Sequence, residues 1–143
     1  MPNPANCNTC EAGMYQTGTG AALASACTAC GAGYYSTEPG ASDEGVCTPC
    51  GTGAYQPLAV AGNASLCLAC IAGTYQPMLV VGYESMCTPC PLGEFSPSAS
   101  ASMCQICPKG SFSNATGSTA CLLCQAGKYS QVLGSNSSQT CLT

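Results

Sequence analysis

The sequence predicts an array of small disulfide-rich repeats, built from short β-strands and loops with little regular secondary structure, set end to end as an elongated rod. Three observations predict it. First, the stretch C-x-x-C-x-x-G-x-aromatic-[Ser/Gln] starts at Cys7, Cys27, Cys47, Cys67, Cys87, Cys104 and Cys121, and an eighth copy starting at Cys141 is cut off at Thr143. A fixed period of this size is the signature of a repeat architecture. Second, cysteine accounts for 15 of 143 residues, the density of a disulfide scaffold. Third, hydrophobic residues reach 46%, but Cys and Ala supply much of that, and only 6% of residues are charged. So little Leu, Ile, Val and Phe cannot fill a large core, while the charge is too low for an ordinary disordered chain. Bridged cysteines reconcile the two, because cross-links restrict the unfolded chain and let a small unit fold around little core.

The elements follow in order. Residues 1–6 form a lead-in. Seven complete repeats occupy 7–26, 27–46, 47–66, 67–86, 87–103, 104–120 and 121–140, and 141–143 begin a truncated eighth. Three residues after each second cysteine stands a glycine: Gly13, Gly33, Gly53, Gly73, Gly93, Gly110 and Gly127. Glycine there permits positive φ or a close backbone approach at a tight turn. Two residues further comes an aromatic: Tyr15, Tyr35, Tyr55, Tyr75, Phe95, Phe112 and Tyr129. These rings are expected to cover the disulfides as a repeat mini-core, since sulfur–aromatic contacts contribute about 0.3–1.5 kcal/mol each and Tyr can keep its hydroxyl in water. The next residue is Gln or Ser in all seven repeats.

A variable loop rich in Ser, Thr, Gly, Ala and Pro completes each repeat, and the two shorter repeats lose three residues there. Length variation collects in exposed loops, so the block is framework and the loop is surface. Gly, Pro and Cys interrupt every helical window. Strands of two to four residues are expected, with Leu58-Ala59-Val60 and Met78-Leu79-Val80-Val81 as the best candidates beyond the block. The run Met78, Leu79, Val80, Val81 is also a candidate assembly contact between subunits or repeats, with burial inside its own repeat as the alternative.

The cysteines admit three readings. In the simplest disulfide scheme the second Cys of each motif joins the first Cys of the next: Cys10–Cys27, Cys30–Cys47, Cys50–Cys67, Cys70–Cys87, Cys90–Cys104, Cys107–Cys121 and Cys124–Cys141, leaving Cys7 unpaired within this window. Bridging inside each C-x-x-C is the rival scheme and would leave Cys141 single; sequence alone does not decide connectivity. As zinc ligands, C-x2-C-x16-C-x2-C has acceptable spacing. Four thiolates, however, leave about two negative charges per site, and the chain has two Lys+Arg residues in all, Lys109 and Lys128. Redox catalysis by C-x-x-C needs a thiolate-stabilising helix N-terminus and one active motif rather than seven. No metal and no cofactor are therefore expected.

Dense cysteine pairing indicates an oxidising, extracellular setting, secreted or at the cell surface. Residues 1–6 have no apolar signal-peptide region, and no run is long enough for a membrane span. The chain reads as a mature secreted protein or an internal piece of a longer one, and the truncated motif favours the piece. Sequons occur at Asn63, Asn114 and Asn136, each in the variable loop, so N-linked glycans are expected, and the loop composition permits O-linked ones. A nucleic-acid partner is excluded by the lack of a basic footprint. Catalysis is not expected: the chain has no His, and its six acids form no acid–base pair.

The block as it stands at Cys30-Gly31-Ala32-Gly33-Tyr34-Tyr35-Ser36, and again from Cys70 to Gln76, resembles the ephrin-receptor-like cysteine-rich repeat. It is more distantly similar to the cysteine-rich modules of tumour-necrosis-factor receptors. The resemblance covers residues 7–141. It implies thin extracellular rods in which the Cys before Gly-x-Tyr bridges to the next downstream Cys, hence Cys70–Cys87 and its equivalents.

The leading functional expectation is a structural glycoprotein: a rod-like unit of an extracellular filament, appendage or surface coat that assembles with itself, head to tail or laterally. A thin rod exposes much surface, and one with few charges and positive mean hydropathy needs neighbours or glycans to cover it. The alternative is a ligand-binding or adhesion ectodomain of a receptor. That reading calls for a discrete patch with anchors, for which Tyr34, Tyr83 and the Asp43-Glu44 pair are available.

Overall fold

A computed structural model describes residues 9–17 and 27–143. The chain forms two compact units whose segments alternate along the sequence. The first has Gly51 as the end of its N-terminal portion and adds Tyr55–Leu68 and Leu79–Glu84; the second comprises Thr52–Ala54, Ala69–Met78 and Ser85–Thr143.

Among the described residues the regular structure consists of two-residue strands and single 3-10 turns. In the first unit β1 (Met14–Tyr15) pairs antiparallel with β2 (Thr28–Ala29), and β3 (Tyr34–Tyr35) with β4 (Thr48–Pro49). The strands β5 (Ala54–Tyr55) and β6 (Leu68–Ala69) pair next in order. In the second unit β7 (Thr74–Tyr75) pairs with β8 (Thr88–Pro89), β9 (Glu94–Phe95) with β10 (Gln105–Ile106), and β11 (Ser111–Phe112) with β12 (Leu122–Leu123). Each sheet thus sets the aromatic block of one repeat against the two residues between the cysteines of the next. Two residues per strand is too short for a hairpin to stand alone. A disulfide clamps each one.

The bonds are Cys10–Cys27, Cys30–Cys47, Cys50–Cys67, Cys70–Cys87, Cys90–Cys104, Cys107–Cys121 and Cys124–Cys141. Their Cα atoms lie between 5.5 Å and 5.8 Å apart, at the centre of the range disulfides favour. Loops closed at this length are each worth about 3 kcal/mol in the chain-entropy model. Cys7 lies outside the described residues.

The 3-10 turns Glu44–Val46, Ala64–Leu66, Glu84–Met86 and Ser138–Thr140 stand immediately before the first cysteine of a motif. Asp43, Asn63 and Ser137 cap three of them by accepting a backbone N–H two residues on, the usual reason for such residues at a helix start. The shorter repeats omit this turn, so the three deleted residues come out of it.

Leu58-Ala59-Val60 and Met78-Leu79-Val80-Val81 form no strands, contrary to the expectation from their composition. Their carbonyls accept single bonds from turns of the preceding repeat: Gly31 N–H donates to Ala59, Gly51 to Leu79 and Gln56 to Val81. One bond at a time fixes an extended segment without making a ladder.

Candidate functional site

The glycine that follows each C-x-x-C shapes the molecule's recurring docking surface. The seven block glycines all have φ between +73° and +87°, the left-handed region that side chains resist. In the first unit a Cβ on Gly13 would lie 2.7 Å from the Ala61 nitrogen, and one on Gly33 would lie 2.9 Å from the Val81 nitrogen. In the second unit the corresponding backbone neighbours are Ser100 at Gly53, Gly117 at Gly73 and Gly134 at Gly93. In these five cases the neighbour belongs to the loop two repeats further along, whereas Gly110 and Gly127 meet nothing within 4 Å. The glycine therefore serves both a turn and a backbone-to-backbone contact that any side chain would block.

Hydrogen bonds register the next repeat. Gly33 N–H donates to Gln56, Gly53 to Gln76, Gly73 to Ser96, Gly93 to Ser113 and Gly110 to Ser130. The residue after the aromatic donates in turn to the loop of the following repeat: Gln16 to Ala41, Ser36 to Ala61, Gln76 to Ala101, Ser96 to Ser118 and Ser113 to Ser135. The hydrogen-bonded acceptors are main-chain carbonyls, so a specific loop sequence is not required; small residues near them permit the approach.

The Ser/Gln position carries a role that its sequence pattern did not explain. Gln56, Gln76, Ser36, Ser96 and Ser113 are among the most completely buried side chains described, with Gln56 0% exposed. Each braces the backbone two residues on. Leu58 N–H donates to Gln56 Oε1, Met78 N–H donates to Gln76 Oε1 while Gln76 Nε2 donates to the Met78 carbonyl, and the Ser96 and Ser113 hydroxyls donate to the carbonyls of Ser98 and Ala115. Ser makes such local bonds readily, and the longer Gln amide reaches the same backbone groups at Gln56 and Gln76, at a site that excludes water. Gln56 Nε2 has no hydrogen-bond partner among the described residues.

The aromatic rings are less central. Tyr15, Tyr35, Tyr55, Tyr75 and Phe95 are half-buried, Phe112 is buried, and Tyr129 is exposed. The interior is formed mainly by Cys10, Cys70, Cys90, Cys107 and Cys141, the first five block glycines, the Ser/Gln braces and the loop residues Ala41, Ala61, Val81 and Ser135.

The candidate assembly run divides. Met78 and Leu79 are exposed and Val80 is half-buried, but Val81 is 3% exposed and belongs to the interior beside Gly33. Asn63, Asn114 and Asn136 are all exposed; Asn63 Oδ1 additionally accepts the Ser65 amide and hydroxyl. Tyr34, Asp43 and Glu44 line one shallow hollow in the first unit with Thr17 and Gly45, whereas Tyr83 is exposed apart from that lining. Among the described residues no group of three or more His, Cys, Asp or Glu side chains is placed to hold a metal ion.

Residues 93–141 match the family model described as tyrosine-protein kinase ephrin type A/B receptor-like. The repeats fit the ephrin-receptor-like cysteine-rich type. Upstream of the matched segment the same block and the same connectivity, second Cys of one motif to first Cys of the next, recur from Cys10 onwards. A comparison with curated proteins returned no match. Ephrin-receptor-like repeats with seven disulfides indicate an extracellular, disulfide-rich module. Among the described residues no helix is long and apolar enough to cross a membrane.

Proposed function

We propose that the chain is a structural glycoprotein, the repeat unit of an extracellular filament, appendage or surface coat, and that it has no catalytic role. The observation that carries this reading is the exposed apolar surface. Ile71, Leu79, Met103, Leu123 and Leu133 are each more than half exposed, in a chain with only 6% charged residues. Exposed apolar surface on this scale needs a cover. Neighbouring subunits supply part of it, and N-linked glycans on Asn63, Asn114 and Asn136, with O-linked sugars on the Ser- and Thr-rich loops, supply the rest. The partner is another copy of the same protein.

Electron microscopy of the purified native protein tests this reading. Long fibres or sheets are the expected result; monodisperse single particles at all concentrations would contradict it. One observation favours a second reading, an adhesion or ligand-binding ectodomain. Tyr34 shares its hollow with Asp43 and Glu44, an aromatic beside two acids, which suits a basic or polar ligand.

A further inference from the structure

Six junctions between successive repeats are described, and at each the peptide linking the second Cys of a motif to the following residue faces the loop of the next repeat. It does so in two opposite orientations. In the first unit the peptides Cys30-Gly31 and Cys50-Gly51 present their N–H: Gly31 donates to the Ala59 carbonyl and Gly51 to that of Leu79. Elsewhere the peptide presents its carbonyl. Cys10 accepts from Gly40 in the first unit, and Cys70, Cys90 and Cys107 accept from Ser100, Gly117 and Gly134 in the second. Turning the peptide over moves the left-handed residue from one side of the junction to the other. Gly31 and Gly51 have φ of +91° and +90°, whereas in the second orientation the left-handed residue is the loop's donor, with φ from +62° to +72°. The residues after the second Cys are then Glu11, Ile71, Pro91 and Pro108, and none of them has positive φ. Proline cannot adopt it and has no N–H to give.

The loops divide along the same line. Those that supply a carbonyl do so three residues after Gln56 and Gln76, and those that supply an N–H do so four residues after Ser36, Ser96, Ser113 and Ser130. The carbonyl five residues on accepts in both types, as at Ala61 and Ala101, so one bond is common and the other switches. We infer that the residue after the second Cys decides which loop can follow it: a Gln-type loop seats only where that residue is Gly, and a Ser-type loop seats on any residue there. Gly31→Pro would set the Ala59 carbonyl against a ring and leave it unpaired. Glycine can turn its peptide either way, so the exclusion runs in one direction. The contact is a sorting device within the array. It selects partners by penalising the wrong one and constrains the order in which repeats pack. It also gives the choice between Gln and Ser after the aromatic a consequence beyond bracing its own loop.

Loop exchange in the intact chain, with its disulfides formed, tests the inference. Residues 56–61 and 96–101 differ at only three positions, so Gln56→Ser, Leu58→Ser and Val60→Ser together convert the first loop to the second type. Leu58 and Val60 are exposed, so their replacement removes no core. Hydrogen exchange at the Ser36 amide, which donates to Ala61 through the bond common to both types, reports whether the loop is seated. Gly31→Pro alone should speed that exchange by about tenfold or more. The three loop changes alone should leave it within about threefold of the parent, and Gly31→Pro on the converted loop should return it to that range. The mirror experiment lies in the second unit. Ser96→Gln, Ser98→Leu and Ser100→Val should speed exchange at Gln76, which donates to Ala101, and adding Ile71→Gly should restore it. Recovery in both units is the expected result. Gly31→Pro that leaves Ser36 unaffected would overturn the rule. So would a combined variant, in either unit, that fails to fold or exchanges no more slowly than its mismatched parent.

Discussion

The carbonyl of Gly117 occupies the position that a Cβ on Gly73 would take. The two residues lie in repeats separated by an intervening repeat, so a turn glycine and a loop carbonyl decide together how closely the chain packs on itself. Gly51 offers the contrast: its φ is +90° but nothing stands within 4 Å of its Cβ direction. Gly51→Ala should cost only the left-handed backbone penalty, about 1–2 kcal/mol. Gly73→Ala adds a collision with backbone that cannot move aside, and should cost more than about 3 kcal/mol; Gly73→Val should fail to fold in its repeat. Thermal unfolding of the two alanine variants checks the ranking, and equal losses would contradict the packing role.

Gln76 tests the buried braces. Its amide both donates to and accepts from the backbone of Met78 in a place closed to water. Gln76→Ala leaves that N–H and carbonyl without partners and should destabilise by about 1–3 kcal/mol. Gln76→Ser keeps a short hydroxyl of the kind found at Ser96 and should recover part of the loss. Denaturant unfolding with the disulfides intact measures both.

Leu79 and Val81 should separate assembly from stability. Leu79 is exposed and Val81 buried. Val81→Ser should cost about 1.5–3 kcal/mol of folding stability. Leu79→Ser should change stability by less than about 0.5 kcal/mol while reducing assembly. Paired unfolding and light-scattering measurements on the two variants give the answer, and equal stability losses would place Leu79 in the interior.

Asn63, Asn114 and Asn136 are exposed on loops outside the block, so a glycan at each clears the fold. Glycopeptide mass spectrometry of protein from its native source should find all three occupied. Three bare asparagines would remove the glycan part of the proposed cover.

The short-strand, disulfide-repeat architecture was legible in the sequence because it rests on local spacing: C-x-x-C to Gly to aromatic never varies, and the loop does. What local spacing cannot show is which distant backbone a residue meets. Gly73 reads as a turn glycine, but nothing in the sequence points to Gly117. The recurring Ser or Gln is visible in the sequence only as a pattern, and its burial follows from a side-chain bond to the backbone two residues on, which replaces water. The aromatics read as core because they are the largest apolar groups in the block, yet Tyr129 is half exposed. Residues 58–60 and 78–81 have strand composition, but the adjoining repeats offer them single bonds rather than a partner strand.

The disulfide connectivity bears the whole account, since each two-residue sheet, each glycine cradle and the polarity of the array depend on the second Cys of one motif reaching the first Cys of the next. Peptide mapping of the native protein under non-reducing conditions tests it most directly. The expected map contains Cys70 linked to Cys87, Cys107 linked to Cys121 and the five equivalent pairs, with Cys7 joined to none of these fourteen. Links within the motifs, such as Cys67 to Cys70 or Cys7 to Cys10, would contradict it.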